Sequence, residues 1–297
     1  MVPRSILTTK KGDVKYVKKL VSLLLVAVLL PISSFSLAFA VPTSNMLPKI
    51  SSIDAEQKSA IEYDRFLKDV NNFKKFIQAQ KPKQGSLSDD AFLLKCAIEY
   101  HNQKVSNGEL EGPLLDLNET MDLKTSSSQV TIQSAGITKS LVRAQLWTAA
   151  ELASIVVPEA SFFLQHSLQD NPSDEYLPSS DSIVPEIKGT QAYKNAIAPF
   201  KSSSSTSQIS YPVFTASNSN WDLYLALHNT TMYSYSSGKS ITSYVTDTYD
   251  FQPKNWGGYG SGIPNAAVTL INNYGVYAQS VGAVVPYYIS ITVPDTK

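Results

Sequence analysis

The periodicity of the sequence changes at a run of serines, "KSSSSTSQ", at 201–208. Before this run, apolar residues recur at intervals of three and four from Asp54 to about Gln80, which is the spacing of one helix face. After it, Tyr, Ser, Thr and Val alternate as in β-strands, and 11 of the 16 tyrosines lie in 202–297. We therefore predict an α+β fold, with an N-terminal helical region at 41–200, a Ser-rich linker or loop at 201–208, and a Tyr-rich antiparallel sheet with one covering helix at 209–297.

Further helices are predicted in the first half. One runs from Ser88 through Tyr100, one starts at about Thr138, and a new one starts at Pro158, because proline is accepted in a first turn but breaks a helix interior. A last short helix is predicted at 183–200. Asp54, followed by Gln57, fits a capping box.

The second half predicts strands at 211–216, 221–228, 232–251 and 286–293, with a hairpin turn at Ser237 and Gly238. The stretch "IPNAAVTLINNYGVYAQSVGA" at 263–283 predicts the covering helix.

Residues 1–40 have the pattern of a secretory signal peptide: a basic start, an apolar run and the ending Ala38-Phe39-Ala40. Cleavage after Ala40 would give a secreted, extracellular protein without a stable membrane span, and the alternative is an uncleaved N-terminal anchor.

The remaining chain has 19 basic and 24 acidic residues and no basic cluster, which argues against nucleic acid as a partner. The single Cys96 excludes an internal disulfide, and its apolar neighbours predict a buried thiol.

The stretch "VTDTYDF" at 245–251 holds the candidate catalytic residues Asp247, Tyr249 and Asp250. Alternation with period two places Asp247 on the apolar side of its strand, together with Ile241 and Val245. A carboxylate on a covered face must be hydrogen-bonded, paired or protonated. Asp250 points to the other side unless the strand bends or bulges before Pro253. With such a bend, Asp247 and Asp250 are candidate ligands of a divalent cation such as magnesium, or an acid and base pair, with Tyr249 orienting a substrate. The alternative is that Asp247 satisfies backbone groups at the rim and that Asp250 opens a turn.

His228, which ends the segment "WDLYLALH", is a candidate general base if its predicted strand lies near Asp247, and otherwise an exposed residue at a strand end. His166 shares a predicted helix with Phe162 and Phe163 and is expected to be packed or hydrogen-bonded in the core. His101 is expected to be solvated. The three histidines show no metal-ligand spacing, and the nucleophile-elbow, P-loop and zinc-protease motifs are absent from the sequence.

Four segments, at 162–174, 221–228, 245–251 and 282–293, resemble in their order the C-terminal domains of bacterial secreted and contact-dependent toxins. Separately, Asp247-x-Tyr249-Asp250 is similar to the Asp-x-Tyr-Asp core of the colicin M family, bacteriocins that hydrolyse a lipid-linked peptidoglycan precursor with magnesium. This resemblance implies a phosphodiester site at these three residues. The His-Arg pair of that family is missing, since the chain continues "FQPKNWGG", and Lys254 is the nearby cation.

Two functions are compatible with these features. The first is a secreted antibacterial effector that hydrolyses cell-envelope material through the Asp-Tyr-Asp cluster, with an immunity protein as a candidate partner. The second is a non-catalytic extracellular module that binds a surface glycan or protein. In that reading Trp256 and Tyr259, in the segment "PKNWGGYGSGIPN", form the recognition loop.

Overall fold

A row of helices precedes a five-stranded sheet in the computed structural model, which describes residues 52–86, 89–115, 139–215, 217–252, 275–276 and 278–297. The predicted α+β class is confirmed. The helices are α1 (Ile53–Gln80), α2 (Asp89–Ser106), α3 (Lys139–Ala153), α4 (Pro158–Ser167), α5 (Ile183–Gly189), α6 (Gln191–Ser202) and α7 (Trp221–Leu227), with a short 3-10 turn at Lys81–Lys83. The strands are β1 (Glu175–Leu177), β2 (Ser207–Ser210), β3 (Thr231–Ser237), β4 (Ser240–Tyr249) and β5 (Tyr287–Thr296).

Helix α1 forms where the spacing of apolar residues predicts it, and it buries Tyr63, Phe66, Val70 and Phe73 along one face. Its cap differs from the prediction. The side chain of Ser52 accepts a hydrogen bond from the backbone N–H of Ala55 at 3.2 Å, so the helix begins before Asp54, which lies in the first turn.

Helix α4 begins at Pro158, as predicted, and α3 ends at Ala153. The segment 183–200, predicted as one helix, forms two. The break falls at Thr190, whose hydroxyl caps α6 by accepting a hydrogen bond from the N–H of Tyr193 at 3.1 Å.

The sheet has the order β1-β5-β4-β3-β2. Strands β2 to β5 pair antiparallel, and Gly238 adopts φ 60° in the two-residue turn that joins β3 to β4, where the hairpin was predicted. Strand β1 pairs parallel with β5, so the sheet is largely antiparallel, as predicted, with one parallel pair at this edge. This strand has only three residues and comes from within the helical half, which left it without a periodic signal.

The segment "WDLYLALH" is helix α7, and its prediction as a strand is wrong. Asn220 caps it by accepting a hydrogen bond from the N–H of Leu223 at 2.7 Å, and Leu223 and Leu227, four residues apart, pack into the core. The segment at 211–216 contributes only a bridge between Val213 and Asn229.

One hydrophobic core joins the sheet to the helices, with members from Tyr63 in α1 to Val293 in β5. Residues on both sides of 201–208 therefore share this core. Lys201 and Ser202 of that segment belong to α6, and β2 begins at Ser207. The predicted signal peptide lies outside the described residues, as does the larger part of the helix predicted at 263–283; in its described part, 275–276 and 278–280 are helical.

A second core, between α1, α2 and α3, includes Cys96, whose predicted burial is confirmed, and burial raises the pKa of its thiol to about 11. At its border the ammonium of Lys104 contacts Asp69 Oδ2 at 2.6 Å and Glu151 Oε1 at 3.2 Å. Burial raises the pKa of Glu151 to about 8, against the lowering effect of Lys104. The ion pairs thus connect α1, α2 and α3 inside a low-dielectric region.

Replacing Lys104 by Met should lower the free energy of unfolding by about 3 kcal/mol at pH 9, above the pKa of Glu151, because a buried carboxylate loses its partner. Urea denaturation followed by circular dichroism measures this loss. The control is Lys95→Met, which removes an exposed pair with Glu99 and should change stability by less than about 0.5 kcal/mol. Equal losses of unfolding free energy in both variants would show that the burial of Lys104 does not increase its contribution to stability.

Candidate functional site

Asp247 lies on the helix-covered face of the sheet, as its strand parity predicts. It is in line with the buried side chains of Ile241 and Val245 on β4 and pairs with Ile289 on β5. The residue keeps an intermediate accessible surface, so it lies at the border of the core. Burial and the charge of Asp250 raise the pKa of Asp247 well above its ordinary value, against a hydrogen bond from the backbone of Thr248. The surroundings therefore favour a protonated carboxyl group.

Tyr249 and Asp250 lie in different environments at the end of the same strand. Tyr249 is buried directly opposite Tyr287, and the centroid of its ring is 5.5 Å from that ring and 6.0 Å from Phe163. Asp250 is exposed just after β4 ends. The two carboxyl groups of the motif thus differ in exposure while remaining close enough to interact electrostatically.

A second carboxyl group occupies the same row of the sheet. Ile289 of β5 pairs with Asp247 on one side and with Glu175 of β1 on the other. Paired residues point to the same face, and two strand spacings separate the outer members by about 10 Å. Glu175 has no exposed surface. The covered face therefore carries two acidic side chains that flank one isoleucine.

Glu175 belongs to a compact polar cluster with His166 of α4 and Glu62 of α1. His166 Nδ1 lies 3.2 Å from Glu175 Oε1 and 3.3 Å from Glu62 Oε2. His166 Nε2 lies 2.8 Å from the carbonyl oxygen of Ser173. The expectation that His166 is a hydrogen-bonded core residue is confirmed. Its two carboxylate partners were not predicted.

The three side chains of this cluster perturb one another. Burial lowers the pKa of His166, but Glu62 and Glu175 outweigh this effect and raise it overall. His166 lowers the pKa of Glu62, while burial raises that of Glu175 to about 7. The cluster therefore has the chemistry of a site that holds positive charge between two carboxyl groups.

Tyr287 connects this cluster to the Asp247 end of the sheet. Its ring centroid is 4.6 Å from that of His166, and its hydroxyl donates a hydrogen bond to the carbonyl of Phe163 at 3.0 Å. Burial is the main cause that raises its pKa, followed by the charges of Tyr249, Glu175 and Asp247. Polar groups thus continue beneath α4 from His166 to Asp247.

The other predicted site residues lie elsewhere. His228 follows the last residue of α7, where Nδ1 is 3.0 Å from the carbonyl oxygen of Phe214 and the ring contacts Tyr224. Because 221–227 is a helix and not the predicted strand, the alternation of faces along a strand does not apply to His228. His101, expected to be solvated, is buried, with Nε2 3.1 Å from the carbonyl oxygen of Pro113. The loop residues Lys254, Trp256 and Tyr259 lie outside the described residues.

Comparisons with known proteins give little further information. No model of a known protein family matches the sequence, and no curated protein matches it. Among solved structures, the colicin M-like bacteriocin PaeM of Pseudomonas aeruginosa is 13% identical, with 84% of this chain and 90% of that chain covered and a TM-score of 0.22. At such a TM-score the match is a loose likeness that supports no argument about site or activity. Within the described ranges, no helix combines the length and the hydropathy that a membrane crossing requires.

Replacing Asp247 by Asn should stabilise the protein at pH 8 by roughly 1 kcal/mol and have little effect near pH 4. The pKa of Asp247 is higher in the folded than in the unfolded protein. Its carboxyl group therefore stabilises the folded protein fully at a pH below the unfolded-state pKa, and this stabilisation is lost as the pH rises through the folded-state pKa. Urea denaturation at both pH values measures the difference. The exposed control Asp250→Asn should change stability by less than about 0.5 kcal/mol, and a loss of stability in Asp247→Asn at pH 8 would contradict the assignment.

Proposed function

We propose that this chain is an exported, toxin-like protein that hydrolyses cell-envelope material, with Asp247 as its acid–base residue. The observation that carries the proposal is the environment of Asp247: an accessible edge of the covered face, where burial and Asp250 raise its pKa. Carboxyl groups with a raised pKa at an accessible border are typical of acid–base sites, whereas the buried Glu151, whose pKa is also raised, already has a partner in Lys104.

In this mechanism the protonated carboxyl group of Asp247 donates its proton to the leaving oxygen of the scissile bond. Asp250, which is exposed three residues after Asp247, accepts a proton from the attacking water. Different environments for two nearby carboxyl groups separate an acid role from a base role. Alternatively, with both carboxyl groups ionised, these two residues would hold a hard cation such as magnesium, which would stabilise negative charge on a phosphodiester.

Tyr249 has a positioning role in this proposal. Its ring is enclosed by Phe163, Phe251 and Tyr287, which fixes the end of β4. Because only 8% of the surface of Tyr249 is exposed, its burial argues against direct contact between this ring and a substrate.

The cell envelope is proposed as the target for three reasons in the sequence. The first 40 residues have the pattern of an export signal, the remaining chain is mildly acidic without a basic cluster, and Asp-x-Tyr-Asp is similar to the core of the colicin M family. An immunity protein in the producing cell belongs to the same proposal.

The test is growth of a susceptible bacterium that produces the protein with and without its export signal. Asp247→Asn should reduce killing at least 100-fold, because the acid is lost while the fold is retained. The control Asp170→Asn changes an exposed carboxylate that pairs with Arg143 and Lys139, and it should leave killing unchanged. Undiminished killing by Asp247→Asn, or killing that needs no export, would refute this mechanism.

A binding module remains the second candidate, and the outer face of the sheet favours it. This face presents Tyr233, Tyr235, Tyr244 and Tyr288, each with intermediate or greater exposure, and the rings of Tyr235 and Tyr244 lie 6.2 Å apart. Partly exposed aromatic rings on a rigid sheet offer a surface on which a sugar ring or a protein loop can stack.

Replacing Tyr233 and Tyr244 together by Thr should abolish binding to an array of bacterial surface glycans if this second function holds, because two stacking rings are lost from the centre of the face. Thr preserves strand propensity. The control Ile61→Thr removes an exposed apolar side chain on α1. Binding that survives the double substitution, or that falls equally in the control, would remove this candidate.

A further inference from the structure

The cluster of Glu62, His166 and Glu175 has donor groups on three separate elements that meet at one point. Their potential ligand atoms all lie within 4.8 Å of one another, which makes them, among the described residues, the group with metal-ligand geometry. We propose that these three side chains bind one divalent transition-metal ion. The proposal is independent of the catalytic role given to Asp247.

The hydrogen bond on the far side of the imidazole constrains its tautomer. A carbonyl oxygen only accepts hydrogen bonds, so the 2.8 Å contact with Ser173 requires a proton on Nε2 of His166. In the neutral ring, Nδ1 then presents a lone pair toward carboxylate oxygens at 3.2 and 3.3 Å. The amide of Gln169, 3.3 Å away, can donate to this lone pair, but the two carboxylate oxygens beside it still need a cation or a proton, carried either by the ring or by one of the carboxyl groups. A backbone carbonyl that accepts from the remote ring nitrogen is also the usual support of a metal-bound histidine.

The distances suit a metal ion. Two ligands placed 2.0–2.2 Å from an ion, at octahedral or tetrahedral angles, are about 3 to 3.5 Å apart. Both distances from Nδ1 to a carboxylate oxygen fall in this range. The two glutamates lie on opposite elements, α1 and β1, so an ion at this point connects the first helix, α4 and the edge of the sheet.

Glu175 supplies an independent reason to expect a ligand. It has no exposed surface, and neither of its carboxylate oxygens has a well-formed hydrogen bond, although the ring of His166 and the hydroxyl of Ser59 are near. Glu62 Oε2 is also buried without a hydrogen bond. Burying unsatisfied carboxylate oxygens is costly, and a bound divalent cation would neutralise the two glutamates completely.

The site borders solvent on the side of Glu62. The side chain of Glu62 is 24% exposed, against 2% for His166 and none for Glu175. The amide of Gln169, an exposed residue, lies 3.3 Å from Nδ1. A water molecule would complete the coordination on the Glu62 side, as in sites with three protein ligands. One imidazole and two carboxylates favour zinc, manganese or iron(II) over calcium.

The test is isothermal titration of the chelator-treated, purified protein with Zn²⁺, and separately with Mn²⁺. We expect one ion per chain with a Kd of about 1 µM or lower at pH 7.5 for at least one of these metals, and a higher melting temperature in its presence. Glu175→Gln and His166→Gln should each weaken binding at least 100-fold. The matched control is Glu159→Gln, which changes a buried glutamate on α4, the helix that carries His166. The amide oxygen of Gln can still accept the hydrogen bond from the hydroxyl of Tyr63, so this variant should bind the metal as the unchanged protein does.

Folded protein that binds neither metal stoichiometrically would overturn the proposal and leave a buried ion triad. Equal binding by Glu175→Gln and by the unchanged protein would place the ion elsewhere and would overturn it as well.

Discussion

The burial of acidic groups on the covered face of the sheet is the constraint on which the rest of the structure depends. Apolar residues of β4 and β5 form this face, and Glu175 and Asp247 interrupt it in one row, on either side of Ile289. Each carboxyl group must take a proton, a hydrogen bond or a cation, since an isolated buried charge is too costly. The two positions solve this problem differently: Glu175 lies against His166, while Asp247 keeps an accessible edge and a raised pKa.

Helix α4 organises these groups from above the sheet. At its beginning, the backbone N–H groups of Glu159 and Ala160 donate to the buried carboxylate of Asp222 on α7, at 3.0 and 2.8 Å. At its end, His166 contacts Glu62 and Glu175. The helix is thus held at both ends by carboxyl groups from other elements, and Phe163, between them, packs on Tyr249. A fixed α4 holds the end of β4 in place, and with it the surroundings of Asp247.

Local sequence patterns predicted the parts of the fold that depend on local chemistry. The face of α1, the break at Pro158, the turn at Gly238 and the side on which Asp247 lies follow from periodicity and backbone preferences. The segment 221–227 was misread because its alternating leucines imitate a strand, while the cap from Asn220 and the burial of Leu223 and Leu227 make it a helix. The cluster at His166 gave no signal, because Glu62 is distant in sequence and Glu175 becomes its neighbour only through the parallel pairing of β1 with β5.

The central claim is that Asp247 is held as a proton-bearing carboxyl group at an accessible edge of the core. The most direct measurement is a carbon-13 NMR titration of aspartate carboxyl groups, with the Asp247 signal assigned by its loss in Asp247→Asn. The account predicts a midpoint well above the ordinary aspartate value of 3.8. A midpoint at or below that value would show that the charged form is stabilised, and Asp247 would then be a structural carboxylate at the rim of the sheet.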